Sequence, residues 1–306
     1  MKWYNKNNEQ DKDKQADHLQ YIQALTGASI NSAVKATELA PNNVLNWQTR
    51  ADTYTQLIPL IGKEAQDFAL SSREKVIELE PNNPSGFLAL ARTYMLMGEN
   101  EAQMLKAEDQ TVKDKAKSNI DNYLKEAENN LNKALELKKD YDSALYNLSL
   151  VYNQQGKTDE AIKKMEIVAK QNQLDSGVAF QLGLLYLQRD GEEDLDKAKN
   201  ALMYAIKLTP SNSNAHWFLA SVYEKQGDYD QAIKQIEKVK ELNPELKEVD
   251  QRLSDLQAGK KTAEETKVLE EEKGVVEIPD GQPTQESIEN NEEKKTEESD
   301  EQKQTF

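Results

Sequence analysis

The sequence predicts an all-α fold, a solenoid of antiparallel helix pairs, and three observations support this prediction. One apolar pattern recurs six times, with a period of about 34 residues in its regular copies. The clearest copy places Ala220 three residues before Tyr223 and ends at Pro244. Turns of Pro and Asn fall at equivalent positions of different copies, as in Pro41-Asn42-Asn43 and Pro81-Asn82-Asn83. Such repeats form binding surfaces more often than active sites.

Small residues at a fixed phase explain how the two helices of a repeat would pack. They let paired helices approach closely, while Leu and Tyr side chains fill the space between neighbours. Proline at the end of a repeat stops the second helix. In the second copy, Arg50 takes the place of the usual Leu. The positions that define the repeats are Ala51, Tyr54, Leu90, Ala91, Tyr94, Leu148, Tyr152, Ala161, Leu182, Gly183, Tyr186, Ala198, Leu219, Ala220, Tyr223, Ala232 and Pro244.

Through these positions the chain resembles the tetratricopeptide repeat family from roughly Glu9 to Leu256. The resemblance implies a right-handed solenoid whose first helices line a concave groove, and a role in protein binding. The alternative is a generic helical bundle in which Ala and Leu simply follow the helical period. That alternative leaves the matching Pro and Asn turns unexplained.

Two short stretches, 35–43 and 180–186, are also similar to the tetratricopeptide region of bacterial O-antigen-ligase-like envelope proteins. This second resemblance implies an accessory module of a system that polymerises or ligates cell-envelope glycans. It also implies association with a membrane protein complex.

The N-terminal half is expected to depart from the regular repeat in two places. A mobile polar segment would cover 1–17 and the solenoid 18–257, with a helix over about Ala16 to Gly27 leading into a degenerate first repeat. In the second repeat, apolar residues flank Pro59 over the stretch 57–62, which predicts a packed turn rather than a kinked helix.

A stretch near 98–120, rich in lysine and acids, interrupts the third repeat and has helix-forming composition. It predicts a lengthened helical hairpin, either a solvated helix with opposite charges at helical spacing or an arm for a specific partner. A capping helix is predicted over 245–257. From 258 to 306 acids dominate, which predicts disorder. The apolar island 274–279 is either a strand that joins a partner's sheet or part of a featureless tail.

Composition excludes several functions. The net charge is −16, and such an acidic chain repels the phosphate backbone, so nucleic acid is excluded as a partner. The absence of Cys excludes disulfides, thiolate metal sites and a Cys nucleophile. No apolar run is long enough to span a bilayer, and no signal peptide is evident at the start. We therefore expect a soluble, cytoplasmic protein without direct membrane insertion.

The search for catalytic, metal-binding or cofactor-binding residues yields no candidate, so the sequence predicts a protein that is not an enzyme and needs no cofactor. The two histidines are His18, in the polar N-terminal segment, and His216, at a phase occupied by apolar residues in other copies. His216 is therefore predicted to be a packed structural residue. No phosphate-binding glycine loop or nucleophile motif is present.

The candidate site is the concave groove of the predicted solenoid. Three successive repeats place an aromatic residue at one groove-facing phase, and the residues four positions later are also predicted to face the groove. The groove residues are Arg92, Tyr146, Leu150, Phe180, Leu184 and Trp217. An apolar groove of this kind suits an amphipathic helix or an extended peptide with bulky anchors.

A competing interpretation is that these rings pack into the inner wall of the solenoid. A tail-binding carboxylate clamp, as in co-chaperone tetratricopeptide domains, is not expected, because the groove phases lack the required Lys and Asn. The sequence thus predicts a non-enzymatic scaffold that binds a protein or peptide partner of unknown identity. The accessory envelope module remains the alternative.

Overall fold

The computed structural model describes residues 21, 23–191 and 193–274, and it describes side chains as far as residue 262. All regular secondary structure in this part of the chain is helical, which confirms the all-α prediction. The chain divides into two units, Met1–Leu256 and Gln257–Phe306. The repeats lie in the first unit.

Helix α1 covers residues 23–39. A 3₁₀ turn, Gln103–Lys106, lies between α4 and α5. The remaining helices are α2 (Val44–Ile61), α3 (Lys63–Leu79), α4 (Pro84–Ala102), α5 (Gln110–Leu137), α6 (Asp142–Gln154), α7 (Thr158–Gln171), α8 (Ser176–Arg189), α9 (Asp194–Leu208), α10 (Ser213–Lys225), α11 (Tyr229–Leu242) and α12 (Glu248–Gly274).

Consecutive helices pair into hairpins, and each hairpin packs on the next one along the chain. The pairs are α2–α3, α4–α5, α6–α7, α8–α9 and α10–α11. These five hairpins correspond to the second to sixth predicted repeats, and α1 holds the end of the degenerate first repeat. The structure thus confirms stacked helical hairpins over the described repeats.

The small residues at the helix crossings are buried, as the packing argument requires. On the second helices Ala69, Ala127, Ala161, Ala198 and Ala232 have no exposed surface. On α8, a β-carbon added at Gly183 would lie 2.7 Å from Cγ of Leu202 and 3.4 Å from the Ala198 carbonyl oxygen. The α8–α9 crossing therefore leaves no room for a side chain at this position.

The prediction of a packed turn around Pro59 is wrong. Helix α2 continues through Pro59 to Ile61, and the chain turns only at Gly62, where φ is 61°. Pro59 lies in the last turn of α2 with its ring exposed, and it lacks the amide that would bond to the Thr55 carbonyl oxygen. Burial of Leu57 and Ile58 fixes this last turn against the core.

Gly27 does not end a helix, because α1 runs through it from residue 23 to residue 39. An interior glycine costs about 1 kcal/mol relative to alanine. Ala33 and Thr37 are buried, which anchors α1 against the second repeat. The predicted mobile segment 1–17 and the predicted start at Ala16 lie outside the described residues.

The capping helix also extends beyond its predicted end at 257. Helix α12 runs from Glu248 to Gly274. Residues 258–274 are mainly Glu, Lys and Ala, which favour a helix, and opposite charges recur at helical spacing. The predictions for the tail and for the apolar island from 275 onward fall outside the described residues.

The third repeat forms the longest hairpin. Asp109 caps α5 by accepting a hydrogen bond from the Thr111 amide at 2.7 Å, and this bond lowers the pKa of the Asp109 carboxyl. The two arms are joined by a hydrogen bond of 3.0 Å from Asn119 to Glu101. Before Ile120 the exposed residues of α5 are polar except for Val112, as on a solvated helix: Gln110, Thr111, Val112, Asp114, Lys115, Lys117 and Ser118.

Candidate binding groove

Side-chain caps set the start of most first helices and hence the phase of the residues that follow. Asn43, Asn83, Asp175 and Asn212 each accept a hydrogen bond from an amide two or three residues later, and Pro84 also occupies the first position of α4. These residues favour non-helical backbone at the cap position, so each helix begins at an equivalent point. Residues at the same distance from the cap therefore face the same side.

Two of the predicted groove residues, Arg92 and Tyr146, line one cavity of about 330 Å³, named here the Arg92 cavity. It is formed by α4, α6, the end of α7 and the start of α8. Its lining residues are Arg92, Asp142, Ser143, Tyr146, Val168, Asn172, Asp175, Gly177 and Val178. The structure thus brings together side chains from successive repeats at the predicted phases.

The carboxylates of the Arg92 cavity already have hydrogen-bond donors. Asp142 accepts a bond of 2.9 Å from Nδ2 of Asn172, and Asp175 accepts bonds from the amides of Gly177 and Val178. Arg92 is exposed and makes no ion pair with any residue that the structure describes. Its guanidinium is therefore available to a ligand.

Tyr146 contributes a half-buried side chain to the lining of the cavity. Burial, together with the nearby Asp175 carboxylate, raises the pKa of the Tyr146 hydroxyl. The hydroxyl therefore stays protonated at neutral pH and can donate a hydrogen bond. The ring offers an apolar surface beside it, packed on the core of the fourth and fifth repeats.

Phe180 and Leu150 pack on that same core cluster, so the structure brings both close to the apolar layer beneath Tyr146. Both are half-buried, as is Leu184. The ring of Phe180 lies 5.9 Å from the ring of Phe218, centroid to centroid, with a tilt of 57°. The sequence reasoning missed Phe218, although the adjacent Trp217-Phe218 pair offered a signal for it.

Trp217 packs on a different cluster from Tyr146 and Phe180. It packs on a cluster that includes Ile236 of α11 and Val249 and Leu256 of α12. The Arg252 guanidinium lies 6.0 Å from its ring centroid and pairs with Glu224. Trp217 thus packs beside the capping helix, an arrangement that neither interpretation of the aromatic row named.

His216 is a buried structural residue, as the sequence predicted. Its Nδ1 lies 2.7 Å from Oε1 of Gln235, and its Nε2 lies 3.1 Å from the Pro210 carbonyl oxygen. Both nitrogens are used within the fold, so the ring connects α10 to α11 and to the preceding turn. His18 lies outside the described residues.

The described residues contain neither a candidate metal site nor a candidate membrane-spanning helix. No group of three or more His, Cys, Asp or Glu in this part of the chain is placed to hold a metal ion. Among the described helices, none has the length and apolarity needed to cross a membrane.

Two stretches match sequence models of the tetratricopeptide repeat, residues 143–172 and residues 191–258. Together they cover α6, α7 and the stretch from α9 to the start of α12. These are tetratricopeptide repeats. No curated protein matches the chain in sequence.

Solved tetratricopeptide structures share the fold. A crystal structure of the MamA protein is 22% identical and matches 66% of this chain and 92% of its own, with a TM-score of 0.50. YrrB, described as a TPR protein with an unusual peptide-binding site, is 15% identical and matches 73% of this chain and 98% of its own, also with a TM-score of 0.50. At these identities the likeness shows the fold alone. The resemblance to envelope glycan ligases stays a prediction.

Proposed function

We propose that this tetratricopeptide protein is a non-enzymatic scaffold that holds a peptide segment of a partner protein in its groove. The observation that carries the proposal is the Arg92 cavity, where a free guanidinium and a half-buried tyrosine from successive repeats lie together. A repeat array supplies a surface rather than an enclosed reaction centre. The peptide-binding site described for YrrB, on the same fold, is in keeping with this role.

The geometry favours a segment that combines one acidic group with one bulky apolar side chain. A carboxylate can accept a charge-assisted hydrogen bond from the exposed side of Arg92, away from Asp142 and Asp175, which keep their negative charge because their donors are neutral amides. The apolar side chain would lie against Tyr146, with Leu150 and Phe180 extending the apolar wall. Aromatic and arginine side chains of this kind dominate binding energy at interfaces.

The test begins with a photo-crosslinking amino acid placed at Ser143, which lines the same cavity, in the full-length chain. The crosslinked partner peptide is then identified and its affinity measured with purified proteins. We expect Arg92→Ala and Tyr146→Ala each to weaken binding at least tenfold, or about 1.4 kcal/mol. Tyr146→Phe keeps the ring and should retain most of the affinity.

Lys125→Ala serves as the control, because it removes an exposed cation of α5 that lies outside the cavity. Circular dichroism establishes that each variant is folded. Unchanged affinity in both folded alanine variants would exclude the Arg92 cavity as the binding site.

A further inference from the structure

A second cavity, of about 550 Å³, opens between α7 and α9, with α8 as its floor. It is named here the Leu182 cleft. Ala169 of α7, Leu182 and Tyr186 of α8, and Ala201 and Tyr204 of α9 supply most of its surface. The predicted groove residues do not line this cleft, which is instead walled by the second helices of two successive repeats.

Comparison with the other repeats shows that this cleft is unusual. The residue equivalent to Leu182 is buried in three copies, where Leu90, Leu148 and Leu219 are 6%, 0% and 2% exposed. Leu182 itself is only half-buried. Here the apolar residue that normally fills the space between neighbouring repeats faces an open cavity.

Exposed apolar residues are the sequence neighbours of several residues that line the Leu182 cleft. Leu174, in the turn between two lining residues, is 84% exposed, and Met203, next to Tyr204, is 49% exposed. Ile167, next to the lining residue Glu166, is also exposed. A group of exposed apolar residues around an apolar cavity marks an interaction surface, whereas single ones do not.

The charge around the cleft opposes the charge of the whole chain, which is −16. Glu166 and Asp175 line the cleft, but three lysines outnumber them: Lys170 also lines it, and Lys163 and Lys207 lie one turn from lining residues on α7 and α9. None of these three makes an ion pair with a residue that the structure describes. Glu166 is engaged by the Tyr186 hydroxyl at 2.6 Å. A partner with acidic groups around an apolar side chain would complement this surface.

We propose that the Leu182 cleft is a second docking site, which binds a partner segment carrying one bulky apolar side chain flanked by acidic residues. The apolar side chain enters the cleft and covers Leu182 and Tyr204, while the acidic residues face Lys163, Lys170 and Lys207. This site adjoins the Arg92 cavity but is a separate proposal. The two share Asn172, Asp175 and Val178 in their walls, so its test uses other residues.

The probes are synthetic 11-residue peptides of Glu and Asp with a central Leu, Phe or Trp, titrated into the full-length chain by fluorescence polarisation. Matched peptides carry Ala at the centre, or Lys in place of the acids. We expect an acidic peptide with an apolar centre to bind at least tenfold more tightly than both matched forms.

The cleft is then changed without touching the core. Ala201→Gln fills it from a half-exposed helical position, and Lys170→Glu reverses the charge of its rim. Each should weaken binding of the acidic peptide at least tenfold. Ala89→Gln and Lys234→Glu are the matched controls, which make the same changes outside the cleft. Ala89 is a half-exposed helical residue and Lys234 an exposed one, and both variants should leave binding unchanged.

Three results would overturn the proposal. One is that no acidic peptide binds at millimolar concentration. Another is that Ala201→Gln and Lys170→Glu bind as the wild type does while Arg92→Ala does not, which would assign the peptides to the Arg92 cavity. The third is concentration-dependent self-association, by sedimentation, that Ala201→Gln abolishes, because the cleft would then join two copies of this chain.

Discussion

The second and fifth repeats place opposite chemistry at the same buried phases. On the second helix Arg73 stands where the fifth repeat has Leu202, and the two are 7% and 0% exposed. On the first helix Arg50 stands where the fifth repeat has Leu182. The position of Arg73 and Leu202 is thus buried in both repeats although its chemistry differs, and the polar atoms of Arg73 find partners in Asp52 and Thr93.

The arginines of the second repeat are held by polar groups and aromatic rings. Arg73 pairs with Asp52 and donates to Oγ1 of Thr93 at 3.4 Å. The Arg50 guanidinium lies within 6 Å of three ring centroids, those of Trp47, Tyr54 and Phe68. Asp52 and Arg92 occupy, in the second and third repeats, the groove position taken by Leu150 and Leu184 in the fourth and fifth, so this position is charged in the earlier pair and apolar in the later pair.

The largest effect is expected from Leu202→Ala, in the apolar repeat. Leu202 has no exposed surface and packs on Gly183, so its removal leaves a cavity that the close helix crossing cannot fill. The free energy of unfolding should fall by about 2–5 kcal/mol, as for other buried leucines. Urea denaturation of the full-length chain measures it. Leu39→Ala, at a leucine that is 74% exposed, is the control and should change stability little.

Asp194→Asn should have a smaller effect, of about 2 kcal/mol at neutral pH. Asp194 is buried and accepts hydrogen bonds from Nε and Nη2 of Arg189, at 2.7 and 2.6 Å, and from the Gly191 amide at 3.0 Å. These bonds hold the turn between α8 and α9, where Asp190 adopts a left-handed conformation with φ of 55°. The bonds from Arg189 lower the pKa of the Asp194 carboxyl.

The pH dependence gives this prediction a sharper test. Because the pKa of Asp194 is lower in the folded state, its ionised form stabilises the fold at any pH above the unfolded-state pKa of about 4. This stabilisation is lost as the pH falls through the folded-state pKa. The stability difference between wild type and Asp194→Asn should thus be constant above about pH 5 and shrink below about pH 4. A difference that does not change with pH would mean that the loss comes from packing rather than charge.

Much of this architecture could be predicted from sequence, because burial and phase follow from local patterns. The recurring Ala and Leu positions gave the hairpins, and the phase of Arg92 and Tyr146 gave the cavity that they share. The role of Trp217 was not predictable, because phase alone does not tell which neighbouring helix covers a ring. Helix α12 extends past the predicted end at 257, because residues 258–274 have a helix-forming composition despite their low apolar content.

Leu182→Ala should cost only about 1 kcal/mol, although its phase marks it as a core leucine. A half-buried side chain removes less apolar surface from water, and each buried methylene contributes about 0.8 kcal/mol. Leu148→Ala is the matched comparison, because Leu148 holds the same phase and has no exposed surface. Equal losses in the two variants would show that the Leu182 cleft is closed in solution.

The smallest effect is expected from Arg73→Met, which makes the second repeat resemble the others at this position. Met preserves the packing of the long arginine stem. The partners left behind remain satisfied: Asp52 is 58% exposed and returns to water, and Thr93 still donates to the Ala89 carbonyl oxygen at 3.1 Å. Because no buried charge is left unpaired, stability should change by less than about 1 kcal/mol.

Arg73→Ala, which also removes the stem, should cost more. A loss above about 2 kcal/mol for Arg73→Met in urea denaturation would mean that the ion pair itself holds the second repeat together, and that its polar core cannot be exchanged for the apolar core of the fifth.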